Sequence, residues 1–282
     1  MTDAKGITGF AAKRAESKGC TLRYLVGGPA GGKPVVLVHG LGGAASNWVD
    51  LAPLLAERYR VLVPDLPGHG LSTPLPAVPN LAVFADRIAL VAEREGKLPA
   101  AVVGHSLGGV VALRLALRRP REVSALVLAS AAGISSTSRR ARYGLRILRL
   151  IGPRRLVAPW SHKVAGSAGL RYLVFGRWGA SDPLILSREG VDGFLSGTKL
   201  ASDSASAGRA VVLDDVRQEL GELSCPVLVL WGARDTQLPL ADGFEFARRL
   251  RAKLRVIADC GHLLIGERPE ACADAIRSFL PA

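Results

Sequence analysis

Short, uninterrupted apolar runs alternate with longer amphipathic stretches through the first half of the chain. Apolar runs without polar alternation are typical of strands buried on both faces, and the stretches between them have hydrophobic residues at helical spacing. This order predicts an α/β fold with a largely parallel sheet. The predicted strands are 21–26, 35–39, 61–65, 101–104 and 125–130, and the predicted helices are 47–59, 81–95 and 107–118.

The strand and helix pattern resumes after an interruption. Residues 227–231 and 254–257 predict two further strands, and residues 269–280 predict a closing helix that begins at a proline. The residues between contain no strand-like run and are punctuated by glycine and proline. We therefore predict a core made of residues 1–133 and 216–282, with an inserted helical cap, or lid, at 134–215.

The composition indicates a folded globular protein. The 282 residues are 49% hydrophobic, which is enough for a large single core. No apolar run reaches the roughly 18 residues that a membrane span needs, and the first residues lack the apolar segment of a signal peptide. The cysteines form no C-x-x-C pair, so we expect reduced, buried thiols and a cytoplasmic location.

Positive charge is concentrated in the predicted cap. The net charge is +13, and residues 139–199 contain twelve Lys or Arg against three Asp or Glu. No aromatic interleaving or known motif indicates a nucleic-acid partner. The basic amphipathic stretch at 139–151 is compatible with weak contact to an anionic membrane surface. An ordinary lid helix with a solvated face is the favoured interpretation.

A turn between a predicted strand and a predicted helix carries a serine among small residues, and reads Gly104-His105-Ser106-Leu107-Gly108. Such a turn needs small residues two positions away on each side, because a side chain there would collide with the strand or the helix. The hydroxyl is then lifted above the carboxyl edge of the sheet, where the backbone N–H of Leu107 opens the helix. We predict Ser106 as a nucleophile.

A serine hydroxyl attacks with the help of an imidazole, which a carboxylate must orient. Among the five histidines, His262 follows the last predicted strand, where a loop can swing over the carboxyl edge of the sheet. Asp235 follows the strand before it and is the best candidate for the carboxylate, with Asp242 and Asp259 as open alternatives. The three groups then occur in the order serine, aspartate, histidine.

These and further motifs resemble the α/β-hydrolase superfamily, in particular its lidded branch of esterases, haloperoxidases and C–C hydrolases. The resemblance covers 37–130 and 227–280 and leaves the predicted cap unmatched. It implies an α/β-hydrolase fold, with a mostly parallel central sheet flanked by helices and an inserted helical cap. The motifs are His39-Gly40-Leu41-Gly42-Gly43 with Trp48 downstream, the stretch 65–72 (DLPGHGLS), the Ser106 turn, the strand end 231–235, and Gly261-His262 followed by Glu267-Arg268-Pro269.

The resemblance also implies roles for residues of the first two motifs. The loop after the strand at 35–39 presents the backbone N–H of Leu41, which joins that of Leu107 in an oxyanion hole. His39 is implied to brace this loop rather than to act as a base. Asp65 lies at a turn rich in glycine and proline, which such a carboxylate commonly holds through backbone N–H groups.

Serine at position 106 disfavours the dehalogenases and epoxide hydrolases of this superfamily, whose nucleophile is an aspartate. We predict a serine hydrolase that cleaves carboxylic esters through an acyl-enzyme on Ser106, with no metal or organic cofactor. A perhydrolase-like haloperoxidase would use the same groups. The alternatives are a non-catalytic ligand-binding member of the fold and a C–C hydrolase of vinylogous diketones. C–C hydrolases usually carry Asn and Trp where this chain has His105 and Leu263.

Substrate choice is assigned to the predicted cap. Its aromatic side chains either line an apolar acyl pocket or form the cap's own core, and both interpretations stay open. The candidates for substrate binding are Trp160, Trp178 and Phe194. We expect the partner to be a small-molecule ester with an apolar acyl group, and the sequence leaves the oligomeric state open.

Overall fold

One mixed sheet organises the fold in the computed structural model, which describes residues 6–17, 19–75, 80–137, 157–176 and 179–281. The sheet has eight strands within these residues, in the order β1-β2-β4-β3-β5-β6-β7-β8. β1 is antiparallel to β2, and β2 is antiparallel to β4. The strands β3 to β8 all run parallel to one another. The strands are β1 (Ala11–Ser17), β2 (Cys20–Gly27), β3 (Pro34–Val38), β4 (Arg60–Pro64), β5 (Ala100–His105), β6 (Val123–Ala129), β7 (Val227–Gly232) and β8 (Lys253–Ile257).

Helices cover both faces of this sheet. Successive residues of β3 show the division, because Val36 and Val38 belong to the core beneath one helical layer while Val35 and Leu37 belong to the core on the other face. The α-helices are α1 (Leu51–Ala56), α2 (Leu81–Arg94), α3 (Leu107–Arg118), α4 (Ser161–Gly166), α5 (Ala168–Arg171), α6 (Arg188–Leu200), α7 (Ser204–Leu213), α8 (Leu240–Leu250), α9 (Leu264–Glu267) and α10 (Pro269–Phe279). Short 3-10 turns lie at Ala45–Trp48, Ser135–Thr137, Ala158–Trp160, Val216–Gln218 and Leu220–Glu222, and a π turn lies at Tyr172–Gly176.

The predicted fold class is confirmed, and the elements that the sequence did not predict include β1 and α8. β1 contains no apolar run, because it is an edge strand in which Ala15 is buried and the residues around it are exposed. α8 has Gly243 in its middle, and glycine weakens a helical pattern. That glycine is needed because a Cβ there would lie 2.9 Å from Cδ2 of Trp231.

Segment 134–215 contributes helices to the structure at its described positions. α6 is the longest of them and is capped by Ser187, whose Oγ accepts from the backbone N–H of Gly190 at 2.7 Å. The predicted basic stretch 139–151 and the candidate Trp178 lie outside the described residues. Among the described residues, no helix is both long and apolar enough to cross a bilayer.

α6 packs against the loop that follows β3, on a face made of glycines. A Cβ on Gly193 would lie 2.3 Å from the backbone oxygen of Ser46, and one on Gly197 would lie 2.9 Å from the backbone nitrogen of Ala44. The hydroxyl of Ser46 also donates to the backbone oxygen of Gly193 at 2.9 Å. The helix therefore rests directly on backbone at residues 43–46.

Candidate active site

Ser106 stands on a strained turn between β5 and α3. Its backbone has φ 55° and ψ −117°, in the positive-φ region that side chains rarely adopt. Short interatomic distances explain why the residues two positions before and after Ser106 must be small. A Cβ on Gly104 would lie 2.2 Å from the backbone oxygen of Gly108, and one on Gly108 would lie 2.1 Å from that of Val38. The turn can form only because these positions are glycine.

Asp235 and His262 form a buried hydrogen-bonded pair. Nδ1 of His262 and Oδ2 of Asp235 are 2.8 Å apart, and the Asp235 side chain is fully buried. The other oxygen of Asp235 accepts from the backbone N–H groups of Gln237 and Leu238, both at 2.9 Å. Burial alone would raise the pKa of Asp235, but these hydrogen bonds outweigh it and lower the pKa below its usual value.

An ionised Asp235 fixes the tautomer of the imidazole. The proton of His262 stays on Nδ1, where it is donated to the carboxylate, and Nε2 is left with a free electron pair. A nitrogen in this state can accept a proton from a hydroxyl. The pair is therefore equipped to act as a general base.

The residue before Ser106 contacts the turn that carries His262, and no hydrogen bond joins the Ser106 hydroxyl to Asp235 or His262 among the described residues. Nε2 of His105, the residue before the serine, lies 2.8 Å from the backbone oxygen of His262, and the two imidazole rings are 5.0 Å apart. The Ser106 hydroxyl has no hydrogen-bond partner in the described part of the chain. Contacts of this kind commonly close only when substrate is in place.

The loop after β3 is held by His39. Nε2 of His39 accepts from the backbone N–H of Leu66 at 3.0 Å, so Nδ1 carries the proton and donates to the backbone oxygen of Gly40 at 2.8 Å. Burial lowers the pKa of His39 to about 4, so the ring stays neutral near pH 7. Gly40 also accepts from the N–H of Gly43 at 3.1 Å. Two donors thus fix the carbonyl of the peptide that joins residues 40 and 41.

A fixed carbonyl also fixes the N–H on the other side of the same planar peptide. The N–H of Leu41 points opposite to the Gly40 oxygen. The loop lies close to the nucleophile, since a Cβ on Gly40 would be 3.2 Å from Cβ of Ser106. Leu107 is the first residue of α3, so its N–H has no acceptor within the helix. Leu41 and Leu107 therefore remain the candidates for an oxyanion hole.

Asp65 holds the turn as expected. One oxygen accepts from the backbone N–H of Ala45 at 2.6 Å, and the other from that of Leu71 at 3.0 Å, with Arg23 at 3.4 Å. Its carboxylate binds backbone N–H groups in the loop after β3 and in the loop after β4, and so connects the two loops. Its role in the structure is to fix these loops relative to each other.

The alternative acids have other partners. Asp242 accepts from the backbone N–H and hydroxyl of Ser135, at 3.1 and 2.7 Å. Asp259 forms an exposed ion pair with Arg234 at 2.5 Å. Neither carboxylate hydrogen bonds to His262 in the described residues, which leaves Asp235 as its partner.

The aromatic candidates lie in different environments. Trp160 is 52% exposed, whereas Phe194 is 5% exposed and meets the ring of Phe175 edge-on at a centroid distance of 6.4 Å. A Cβ on Gly266 would lie 2.8 Å from Cε2 of Phe194, so this ring also packs on α9. Phe194 is part of a packed interior, and its contact with substrate stays a prediction, as does that of Trp160.

One buried carboxylate near the imidazole was not predicted to have a role. Glu267 is 3% exposed and accepts backbone N–H groups from the turn that carries His262. Its partners are backbone N–H groups, which nearly every residue has, so the sequence does not reveal these contacts. The Glu267-Arg268-Pro269 motif is the one signal that could have drawn attention to it. Within the described residues, no cluster of three or more His, Cys, Asp or Glu side chains is arranged to hold a metal ion.

The chain is similar to known proteins over most of its length. Residues 35–275 match the alpha/beta hydrolase family. The chain is 31% identical, over 96% of its length and 70% of the other protein, to the dihydrolipoyllysine-residue acetyltransferase component of the acetoin cleaving system of Pseudomonas putida. It is 33% identical to the pimeloyl-(acyl-carrier protein) methyl ester esterase of Aromatoleum aromaticum, over 87% of this chain and 97% of the esterase.

A solved structure shows similarity over nearly the whole chain. A hydrolase from Pseudomonas aeruginosa PA01 superposes with a TM-score of 0.75 at 26% sequence identity. The alignment covers 98% of this chain and 100% of the other.

Proposed function

The chain belongs to the alpha/beta hydrolase family, and from this premise we propose that it is a serine hydrolase that cleaves carboxylic esters through an acyl-enzyme on Ser106. The observation that carries the proposal is the 2.8 Å bond between His262 and an ionised Asp235, close to a serine on a strained turn. The esterase of Aromatoleum aromaticum, which aligns along nearly its full length, supports an ester as substrate.

The proposed reaction has two halves. The oxygen of Ser106 attacks the acyl carbon while Nε2 of His262 accepts the hydroxyl proton, and the N–H groups of Leu41 and Leu107 bind the oxyanion. His262 returns the proton to the leaving alcohol as the C–O bond breaks. A water then attacks the acyl-enzyme by the same proton transfers, which releases the carboxylic acid and restores Ser106.

We also propose that segment 134–215 acts as a cap that selects the acyl group, with Trp160, Trp178 and Phe194 as its candidate contacts. The support is positional, because α6 rests on the loop at 43–46 that continues from Leu41. If a substrate binds at the oxyanion hole, α6 lies on the other side of the loop from it.

Hydrolysis of p-nitrophenyl esters with short and medium acyl chains tests the proposal. We expect Ser106→Ala and His262→Ala to lower kcat by about a thousandfold or more, because the nucleophile and its base act as a unit. Ser278→Ala is the matched control, since this exposed hydroxyl bonds to the backbone of its own helix. Equal rates for wild type and Ser106→Ala would contradict the proposal.

A further inference from the structure

A carboxylate outside the proposed catalytic group holds the turn that carries the imidazole. Glu267 is the last residue of α9. Both of its oxygens lie 3.1 Å from the backbone nitrogen of Gly261, and one accepts from the N–H of Leu263 at 3.2 Å. Because these donors stand on either side of His262, the carboxylate fixes the backbone from which the imidazole projects.

The same carboxylate reaches the inserted segment. Its Oε2 accepts from the backbone N–H of Ser181 at 2.7 Å. The N–H of His262 in turn donates to the backbone oxygen of Gly179 at 2.5 Å. The two segments approach so closely that a Cβ on Gly261 would lie 2.1 Å from that same oxygen. Residues 179–181 and 261–263 are thus held together, with Glu267 between them.

The geometry fits an ionised carboxylate. No Lys or Arg of the described residues forms an ion pair with Glu267, and its near partners are backbone N–H donors. A protonated carboxyl group would turn its own hydrogen toward one of these donors and lose that bond. Burial raises the pKa of Glu267 above its usual value, and the N–H groups offset only part of this rise.

We propose that Glu267 is a positioning residue, which orients His262 toward Ser106 by tying the 261–263 turn to residues 179–181 of the inserted segment. This proposal rests on the proposed function for the role of His262. Glu267 does not touch the reacting atoms. Its effect arises because a displacement of a catalytic group by about 1 Å can cost on the order of a hundredfold in rate.

The first test is the kinetics of Glu267→Gln. The amide nitrogen of glutamine cannot accept a hydrogen bond, so at least one backbone N–H loses its partner. We expect kcat to fall by roughly 10- to 100-fold while KM changes by less than about threefold, because no surface that binds the ester is altered. Glu270→Gln, which removes the same charge from an exposed position on α10, is expected to leave both constants unchanged.

A purely structural role would give a different result. In that case Glu267→Gln would melt at a lower temperature but, measured well below that temperature, would keep the wild-type kcat. An unchanged kcat in folded protein would overturn the proposal. A lowered kcat accompanied by loss of the downfield NMR signal of the Nδ1 proton that His262 donates to Asp235 would support it.

A second measurement needs neither a variant nor activity. Amide hydrogen exchange of the wild-type protein is expected to show Gly261, Leu263 and Ser181 protected to a similar extent, since one carboxylate binds all three. Exchange of these amides at the rate of exposed loops would overturn the proposal even if Glu267→Gln does not fold. The result is independent of the Ser106→Ala test, so failure of the proposed function and failure of this inference can be told apart.

Discussion

At the scale of the residue, the candidate site uses backbone groups as much as side chains. The sequence predicts Ser106, Asp235 and His262 because a nucleophile, a base and an acid require particular side chains in particular turns. It does not predict the part played by Glu267, because the backbone N–H groups that this carboxylate binds are present at nearly every position. Leu41 is the reverse case, in which only the backbone N–H is proposed to act.

The oxyanion proposal can be tested at Leu41 by removing the side chain or the N–H separately. The side chain is 39% exposed, so Leu41→Ala is expected to change kcat for p-nitrophenyl esters by less than about threefold. Leu41→Pro removes the N–H and is expected to lower kcat by roughly 100- to 1,000-fold, the cost of one oxyanion donor. Similar rates for the two variants would show that this N–H does not stabilise the transition state.

At the scale of the element, the parallel strands and their helices could be predicted because each buries a continuous apolar face. β1 could not, since an edge strand exposes most of its residues and needs no apolar run. The packing of α6 could not either, because a glycine gives no hydrophobic signal. Only the structure shows that Gly193 and Gly197 face the backbone of residues 43–46.

The glycine face of α6 gives a prediction whose sign depends on two opposing effects. Alanine in place of a glycine within a helix usually stabilises it by about 0.5–1 kcal/mol. At Gly193, however, the new Cβ would lie 2.3 Å from a backbone oxygen of Ser46, and such overpacking typically costs about 1–3 kcal/mol. We expect Gly193→Ala to lower the free energy of unfolding, as measured by urea denaturation, and to lower kcat because the loop at 43–46 must shift.

Gly166→Ala, at the end of α4, is the matched control for this test. Nothing lies within 4 Å of a Cβ at that position, so stability should be unchanged or slightly increased. If Gly193→Ala were as stable as Gly166→Ala, α6 would not be in contact with the loop.

At the scale of the whole molecule, buried neutral histidines link stability to pH. Burial lowers the pKa of His39 and His69 to about 4 and that of His105 to about 3. In the unfolded chain each ring has a pKa near 6.5. Between these values the unfolded state binds more protons than the folded state, so acidification below about pH 6.5 favours unfolding.

Urea denaturation between pH 7 and pH 4.5 tests this linkage. Each histidine contributes up to about 1.4 kcal/mol of lost stability per pH unit below 6.5. Burial raises the pKa of Asp65 and Glu267, and these carboxyl groups act in the opposite sense, so a difference between variants is needed. His69→Asn is expected to show a smaller loss per pH unit than wild type. A parallel pH dependence for the two proteins would show that His69 does not bind its proton on unfolding.

The edge strand β8, at the opposite end of the sheet from β1, affects how two copies of the molecule can associate. Among the strands of the described residues, β8 pairs only with β7, so its outer backbone groups face away from the sheet, and its side chains at Lys253 and Arg255 are exposed. A second molecule that extended the sheet there would place Lys253 and Arg255 of both copies on neighbouring strands, which lie about 5 Å apart. We expect repulsion between these cations to disfavour pairing of two copies along this edge.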